Sequence, residues 1–178
     1  MSIFASSDEK LDLEKDFKTE QYEDEYRIKI PKYMKADTGL HADASLAFQS
    51  SLKEVAILIL DENIKEFKDA LQFLNGYDDS ASFIENYANI QINLISQGLL
   101  YPESGDIVVN KIDEYPAAQV WMEGRIDGLD IAYFITCIET EKKVYFIMSY
   151  TSKEKKTKFE DTFKKVGSSF ELINASGN

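Results

Sequence analysis

Apolar and polar residues alternate over several short segments of this chain, which is the pattern of strands with one buried face. Residues 26–31 predict the first strand, which ends at Pro31 because proline cannot donate a hydrogen bond to a sheet. Residues 44–49 alternate in the same way, and residues 55–60 are continuously apolar. The polar segment between these two predicts a hairpin, and the unbroken apolar run predicts a second strand that is covered on both faces.

Two helices are predicted next, each introduced by a capping signal. Asn63 and Glu66 have the spacing of a capping box, and Asn75-Gly76 supplies a left-handed stop. The apolar stripe of this helix consists of Ile64, Phe67, Leu71 and Leu74. Ser82 and Glu85 form a second capping box. The apolar stripe of the second helix consists of Phe83, Tyr87, Ile90 and Leu94.

The last third of the chain predicts further strands. A strand over residues 106–115 ends before Pro116, and its inward residues are Ile107, Val109 and Ile112. Strands over residues 119–126 and 129–139 are joined by Asp127-Gly128, the sequence that a type I′ hairpin turn prefers because glycine tolerates positive φ. Another strand covers residues 144–150, after a turn.

A terminal helix completes the pattern. Thr151 and Glu154 have the capping spacing. The apolar positions of this helix are Phe159, Phe163, Val166 and Phe170. The element order predicts an α+β fold with a single antiparallel sheet of about six strands and helices on both faces, because two consecutive helices between runs of strands do not fit repeated βαβ units.

Composition and charge limit the possible partners. The chain has 178 residues, of which 44% are hydrophobic, enough for one domain with a real core. Its formal net charge of −12 argues against nucleic acid and anionic lipid as partners. Residues 1–25 carry nine acids and three bases without periodicity, so we expect a largely disordered acidic arm ahead of a domain over residues 26–173. Residues 174–178 are expected to form a flexible tail.

Two local segments carry a resemblance to a known family. They are the strand that runs into proline, Tyr26-Arg27-Ile28-Lys29-Ile30-Pro31, and the phenylalanine-rich helix that closes on Ser168-Ser169-Phe170-Glu171-Leu172. With the element order, they resemble the family that joins the photosystem subunit PsbP, the nuclear-transport factor Mog1 and bacterial DcrB-like proteins, over roughly residues 26–173. The resemblance implies an α-β-α sandwich and a role in binding or assembly rather than catalysis. No partner-binding motif matches position by position, so it assigns no functional residue.

The start of the chain leaves the compartment open. Ile3-Phe4-Ala5 fits the remnant of a cleaved leader behind an added Met1, although no complete signal peptide is present. A leader or lipid anchor upstream of Ser2 predicts a periplasmic or envelope-associated protein, and a membrane contact only through that anchor. Otherwise the protein is expected in the cytoplasm. The oligomeric state also stays open.

No catalytic residue, cofactor or metal site is predicted. His41 is the only histidine and lies in a turn between Asp37 and Asp43, so we interpret it as an exposed loop residue. A hydrolase that uses His41 is a remote alternative, because no serine lies in a Gly-x-Ser-x-Gly context. Cys137 is the only cysteine, and its place in an alternating strand predicts a buried, inert thiol.

Two groups of residues are candidates for a partner surface. Trp121 is interpreted either as core beneath a helix or, with Tyr133 or Tyr145, as part of an exposed groove. Lys153, Lys155, Lys156 and Lys158 form the other group. Because these lysines oppose the dipole at the start of the terminal helix, something is expected to compensate them, and the acidic arm is the nearest candidate. A solvated lysine face and a contact with an acidic partner both fit.

Three functional hypotheses follow. The first is a non-enzymatic binding or assembly protein of the bacterial cell envelope, which acts on a protein partner that the sequence does not identify. The second is a cytosolic adaptor or chaperone for an apolar segment of a client protein, which predicts an exposed hydrophobic groove and a homodimer. The third is the hydrolase that uses His41.

Overall fold

The computed structural model describes residues 7–71, 73–74 and 76–173. The strands are β1 (Phe17–Tyr22), β2 (Tyr26–Pro31), β3 (Lys35–Ala36), β4 (Leu46–Ser50), β5 (Val55–Asn63), β6 (Leu100–Ser104), β7 (Val108–Ile112), β8 (Tyr115–Ile126), β9 (Leu129–Glu139), β10 (Lys143–Ser152) and β11 (Glu171–Leu172). The helices are α1 (Ile64–Leu71), α2 (Phe83–Ser96) and α3 (Lys156–Ser168), and a 3-10 turn at Lys153–Lys155 precedes α3.

The strands form one large sheet and one small sheet, and every pairing is antiparallel. The large sheet has the order β3-β4-β5-β10-β9-β8, and β6 and β7 both pair with β8 at its outer edge. The small sheet has the order β1-β2-β11. The large sheet is wider than predicted because β3 has two residues and β6 is exposed throughout, so neither shows an alternating pattern.

Each face of the large sheet carries its own core, which confirms the predicted α+β class with helices on both faces. Helices α1 and α2 cover one face, where Tyr87, Met122 and Phe146 belong to one apolar cluster. Helix α3 and the small sheet cover the other face. The large buried side chains of that second cluster include Tyr26, Phe48, Phe159, Phe163 and Phe170, all at most 2% exposed.

Two predicted hairpins are present. Strands β4 and β5 pair directly, and residues 55–59 of β5 are all buried between β4 and β10. This confirms that the apolar run forms a strand covered on both faces. Between β8 and β9, Asp127 and Gly128 have φ values of 50° and 79°, as the type I′ turn requires.

The predicted helix starts hold for α1 and α2, and each predicted apolar stripe is buried or partly buried except at its last position. Asn63 Oδ1 accepts the backbone N–H groups of Lys65 and Glu66, and α2 has a complete capping box. Helix α1 ends at Leu71, and Leu74 is 42% exposed. Gly76 has the expected positive φ of 94°, whereas Asn75 lies outside the described residues. In α2, Tyr87 and Ile90 are buried as predicted, whereas Leu94 is 54% exposed; Ile84, Ala88 and Ile92 are buried as well.

The strand predicted over residues 106–115 is shorter. Strand β7 ends at Ile112 because Asp113 and Glu114, with φ values of 50° and 67°, form a tight turn. Pro116 therefore lies in β8, in register with Lys111 of the edge strand β7.

The cap predicted for the terminal helix is wrong. Thr151 belongs to β10, and its Oγ1 donates to the carbonyl oxygen of Glu54 at 2.9 Å. The helix begins only after the 3-10 turn, at Lys156. Its predicted apolar positions are all buried and lie in the α3-side core: Phe159, Phe163, Val166 and Phe170.

The expectation of a disordered arm is wrong for residues 7–25. Strand β1 pairs along its whole length with β2, and Phe17 is 4% exposed. Leu11 and Leu13 pack against the α3-side core, and Glu9 is buried. The sequence pattern missed this because few apolar residues stand among many acids. Residues 1–6, with the proposed leader remnant, and residues 174–178, with the expected tail, lie outside the described residues.

Candidate functional site: an open groove at the end of the large sheet

Helices α1 and α2 leave one end of their sheet face uncovered. Helix α2 packs against β6, β8 and β9, and α1 packs against β5 and β10. Beyond them, where β4 ends and β5 begins, lies a groove of about 700 Å³. Its apolar lining consists of Leu40, Val55, Ala56, Leu129, Ile131 and Tyr150. We refer to this site as the open groove.

Aromatic side chains continue from the open groove across the sheet. Tyr150 lies in the groove lining, and its cross-strand partner on β9 is Tyr133. Their ring centroids are 5.7 Å apart, and both side chains are partly buried. Burial raises the pKa of both phenols, so both stay neutral at physiological pH. The pair therefore offers apolar ring surface together with hydroxyl groups that can donate and accept hydrogen bonds.

Two hairpin tips form the walls of the open groove. The type I′ turn at Asp127-Gly128 places Leu129 on one wall, where its side chain is 63% exposed. The β4–β5 turn forms the other wall and contains Glu54, whose φ is 58°. The hydrogen bond from Thr151 to Glu54 ties β10 to this turn. Both walls are thus fixed by short local turns rather than by long loops.

Several charges around the open groove are paired. Arg125 donates two hydrogen bonds to the carboxylate of Asp130, at 2.8 and 3.0 Å, and this lowers the pKa of Asp130. Lys155 pairs with Glu54, and Gln49 donates to Asp37. These contacts reduce the net charge around the groove, so it offers little attraction to an ion. An apolar segment of a protein therefore fits the groove better than a charged small molecule does.

The three aromatic residues that were candidates for a partner surface lie apart. Trp121 faces α3, with ring centroids 5.0 Å from Phe134 and 6.1 Å from Phe163. Tyr145 is buried in the same α3-side core, at 2% exposure. Tyr133 lies on the opposite face, beside the open groove. The structure therefore favours the core interpretation of Trp121, and only Tyr133 adjoins the groove.

The four lysines at the start of α3 are largely engaged. Lys153 and Lys156 both contact the carboxylate of Glu123, at 2.9 and 2.8 Å, and these hydrogen bonds lower the pKa of that carboxyl. The ammonium group of Lys156 also lies 5.0 Å from the centre of the Trp121 ring. Compensation comes here from Glu123 on β8, and for Lys155 from Glu54, rather than from a disordered arm.

Lys158, the fourth predicted lysine, connects to the N-terminal segment through its backbone. Its carbonyl oxygen accepts the N–H of Glu9 at 2.8 Å, while its ammonium group lies 5.5 Å from the centre of the Phe159 ring. The Glu9 carboxylate accepts hydrogen bonds from Thr162 at 2.8 Å and from Tyr33 at 2.7 Å. Residues 7–16 therefore act as a strap across α3.

The two residues considered as catalytic groups, His41 and Cys137, lie in different environments. His41 is exposed, and its Nδ1 accepts the backbone N–H of Asp43 at 3.1 Å. Cys137 is fully buried, and burial raises the pKa of its thiol, so it stays protonated. Within the described ranges, no group of three or more histidine, cysteine, aspartate or glutamate side chains is arranged to hold a metal ion.

Tyr150, Leu129 and Ile131 were missed by sequence reasoning. Leu129 is the first residue of β9 after the Asp-Gly turn, and Tyr150 and Ile131 fit ordinary strand patterns, so the sequence alone does not mark these residues as a site. The helices of the described chain are also too short or too polar to cross a bilayer.

Comparison with known proteins identifies the fold. No protein-family model matches the sequence, and none of the curated proteins matches it significantly. Among solved structures, cyanobacterial PsbP (CyanoP) from Synechocystis sp. PCC 6803 is 11% identical, with a TM-score of 0.63 over 88% of this chain and 92% of that one. LpqN, involved in cell envelope biogenesis of Mycobacterium tuberculosis, is 9% identical, with a TM-score of 0.56 over 84% of this chain and 83% of that one.

A third structure, from Bacteroides thetaiotaomicron, is 10% identical, with a TM-score of 0.52 over 85% of this chain and 46% of that one. At these low sequence identities, the comparisons show that this chain and the three proteins share a fold and nothing more. The shared fold confirms the PsbP-like architecture that the two local segments implied.

Proposed function

We propose that this chain is a non-enzymatic binding protein of the bacterial cell envelope that holds a segment of a partner protein in the open groove. The observation that carries this proposal is the uncovered end of the sheet, where apolar side chains that include Tyr150 line a site of about 700 Å³ and Tyr133 lies beside Tyr150. The fold shared with LpqN, which is involved in cell envelope biogenesis, supports the envelope assignment.

The dimensions and lining of the open groove define the partner segment. A volume of about 700 Å³ accommodates a few side chains, in the range of specific binding pockets. Because most of the exposed area of the lining is apolar and several rim charges are paired, the segment is expected to insert apolar side chains. The net charge of −12 repels acidic proteins over about a Debye length, so the partner is expected to be neutral or basic around that segment.

Site-specific photo-crosslinking in the native bacterium tests the proposal. A photoreactive residue replaces Leu129 on the groove wall, and a matched chain carries it at Lys164, which is exposed on α3. We expect a discrete crosslinked protein from position 129 only, and its loss when Tyr150→Ala is added. Equal crosslinks from both positions, or none from position 129, would contradict the proposal.

The second candidate function is an adaptor or chaperone for an apolar client segment in the cytoplasm. It is favoured by large exposed apolar side chains near the α1–α2 connection: Phe73 (83%), Leu74 (42%), Tyr77 (40%) and Leu94 (54%). Cell fractionation distinguishes the two candidates. An envelope protein is expected in the membrane or periplasmic fraction, and an adaptor in the cytoplasmic fraction. Sedimentation velocity then checks the homodimer that the adaptor hypothesis predicts.

A further inference from the structure

The outer edge of the large sheet is built from two strands that differ in how open they are. Strands β6 and β7 run one after the other along β8, opposite β9. Across residues 7–71, 73–74 and 76–173, no other strand pairs with either of them. An unpaired edge presents a row of backbone N–H and C=O groups, and natural proteins usually block such rows.

Strand β6 has the features that block an edge. Pro102 lacks an N–H group, and Tyr101 has a φ of 50°, which turns the backbone out of the extended conformation. The register with β8 also shifts between Leu100 and Glu103. An added strand could not pair continuously along this half of the edge.

Strand β7 lacks these features. Its five residues keep a continuous register with β8, from Val108 opposite Gln119 to Ile112 opposite Tyr115, and they include no proline or glycine. Val108 and Val109, which point to opposite faces, are 58% and 48% exposed. Ile112, at 4% exposure, anchors the end of the strand in the core. The result is a regular, partly apolar edge that is held in place and left unpaired.

Charge around this edge selects the type of partner. Residues 100–114 contain four carboxylates and one lysine, a net charge of −3. The carboxylates belong to Glu103, Asp106, Asp113 and Glu114. A second copy of the chain would bring the same negative charge to the same place, which disfavours edge-to-edge pairing of two copies. A basic partner is favoured, since Lys111 is the only basic residue within residues 100–114.

We propose that β7 binds an extended segment of a partner protein as an added strand, and that this segment alternates apolar and basic residues. The backbone of the segment would pair with the free edge of β7, as in other cases of strand addition. Its apolar side chains would lie beside Val108 or Val109, and its basic side chains near the carboxylates. This surface is separate from the open groove and does not depend on the function proposed for it.

A synthetic hexapeptide of alternating valine and lysine, capped at both ends, serves as the probe. Backbone amide shifts measured by NMR on the labelled full chain are expected to change at residues 108–112. The matching valine–glutamate peptide should bind at least about tenfold more weakly at low ionic strength, because the edge is acidic. Two further peptides carry N-methyl groups on either the valine or the lysine nitrogens. One of these two peptides must no longer bind, because an added strand directs only every second backbone N–H group toward β7.

Protein variants locate the contact. Val109→Lys should weaken the valine–lysine peptide about tenfold, whereas Leu52→Lys, at a 93% exposed turn position, should leave binding unchanged. Leu129→Lys, which alters the open groove, should also leave it unchanged. Equal binding of both N-methylated peptides, shifts at groove residues instead of β7, or a concentration-dependent dimer that Val109→Lys abolishes would each overturn the proposal.

Discussion

Gly167 of α3 lies directly on Thr136 of β9. A Cβ atom on Gly167 would overlap Thr136 Oγ1 and would lie 3.2 Å from Thr136 Cβ. Thr136 cannot move aside easily, because it is 1% exposed and its Oγ1 accepts a hydrogen bond from Gln119 at 3.2 Å. The absence of a side chain at position 167 therefore sets how closely α3 approaches the sheet.

Gly167→Ala is expected to destabilise the protein by about 2 kcal/mol, although alanine is the better helix former, because the overlap forces α3 away from the sheet. Urea unfolding measures the change. Gly98→Ala is the control, since its Cβ would meet only Ile95 O at an ordinary 3.6 Å. In a double-mutant cycle, Thr136→Ala should recover part of the loss. Equal stability of both glycine variants would contradict the close contact.

Removing the buried carboxylate of the strap should cost far more than removing an exposed one. Glu9→Ala leaves Tyr33 and Thr162 without their acceptor and Lys53 without its ion pair, so we expect a loss of about 2–3 kcal/mol. Glu14→Ala, whose side chain is 84% exposed and pairs with Lys29, should cost less than about 0.5 kcal/mol. Unfolding in urea and amide exchange over residues 7–16 provide the measurements. Similar losses in both variants would show that the strap is not anchored through Glu9.

The contact of Glu123 with two lysines should make the free energy of unfolding depend on pH. Since hydrogen bonds from Lys156 and Lys153 lower the pKa of Glu123 in the folded state, its contribution is fully present above about pH 4.3, the ordinary value for glutamate. The contribution is lost as the pH falls through the lower folded-state pKa. Glu123→Gln should therefore cost about 1 kcal/mol at pH 7 and progressively less below pH 4.

Urea unfolding at several pH values measures this difference. Glu154→Gln serves as the control, because Glu154 is exposed in the adjacent 3-10 turn. A Glu123→Gln penalty that stays constant down to pH 3 would contradict the assignment.

The buried amide of Asn86 should hold the segment before α2. Its Oδ1 accepts the N–H of Asp78 at 2.8 Å, and its Nδ2 donates to the carbonyl oxygen of Asp78 at 2.9 Å. Asn86→Ala removes both bonds from a 1% exposed site, so we expect a loss of about 2 kcal/mol and faster amide exchange at Asp78. Asn89→Ala, exposed on the same helix, should change neither quantity. Unchanged exchange at Asp78 in the Asn86 variant would contradict this role.

The sequence predicted those turns, caps and strands that depend only on residues close together in the chain. The Asp127-Gly128 turn, the Ser82–Glu85 box and the alternation in residues 26–31 each depend on neighbours within a few positions, and all three are present. The apolar positions of α3 were also recognisable, because a helix against a sheet needs a stripe at helical spacing.

The open groove and the strap were not predictable in this way. The residues that line the groove have an ordinary strand pattern. Tyr150 is partly exposed because α1 and α2 do not extend over this end of the sheet, and the sequence pattern of β10 does not show that. Strand β1 is an acidic segment whose stability comes from pairing with β2 rather than from its own pattern. Thr151 and Glu154 show the opposite error: their spacing fits a cap, but β10 extends through Thr151 because its hydroxyl group finds a partner in the β4–β5 turn.

The small sheet has a consequence for the order of events during synthesis. Leu172 of β11 pairs with Tyr26 of β2, and the N–H of Ile173 donates to Glu25 at 2.8 Å. A nascent chain that still has these residues and α3 inside the ribosome lacks part of the cover of this face, because Phe159, Phe163 and Phe170 are missing from its core. The half of the molecule under α1 and α2 needs nothing beyond β10 and can consolidate first. Synthesis from the N-terminus therefore allows the core under α1 and α2 to form before the core under α3 is complete.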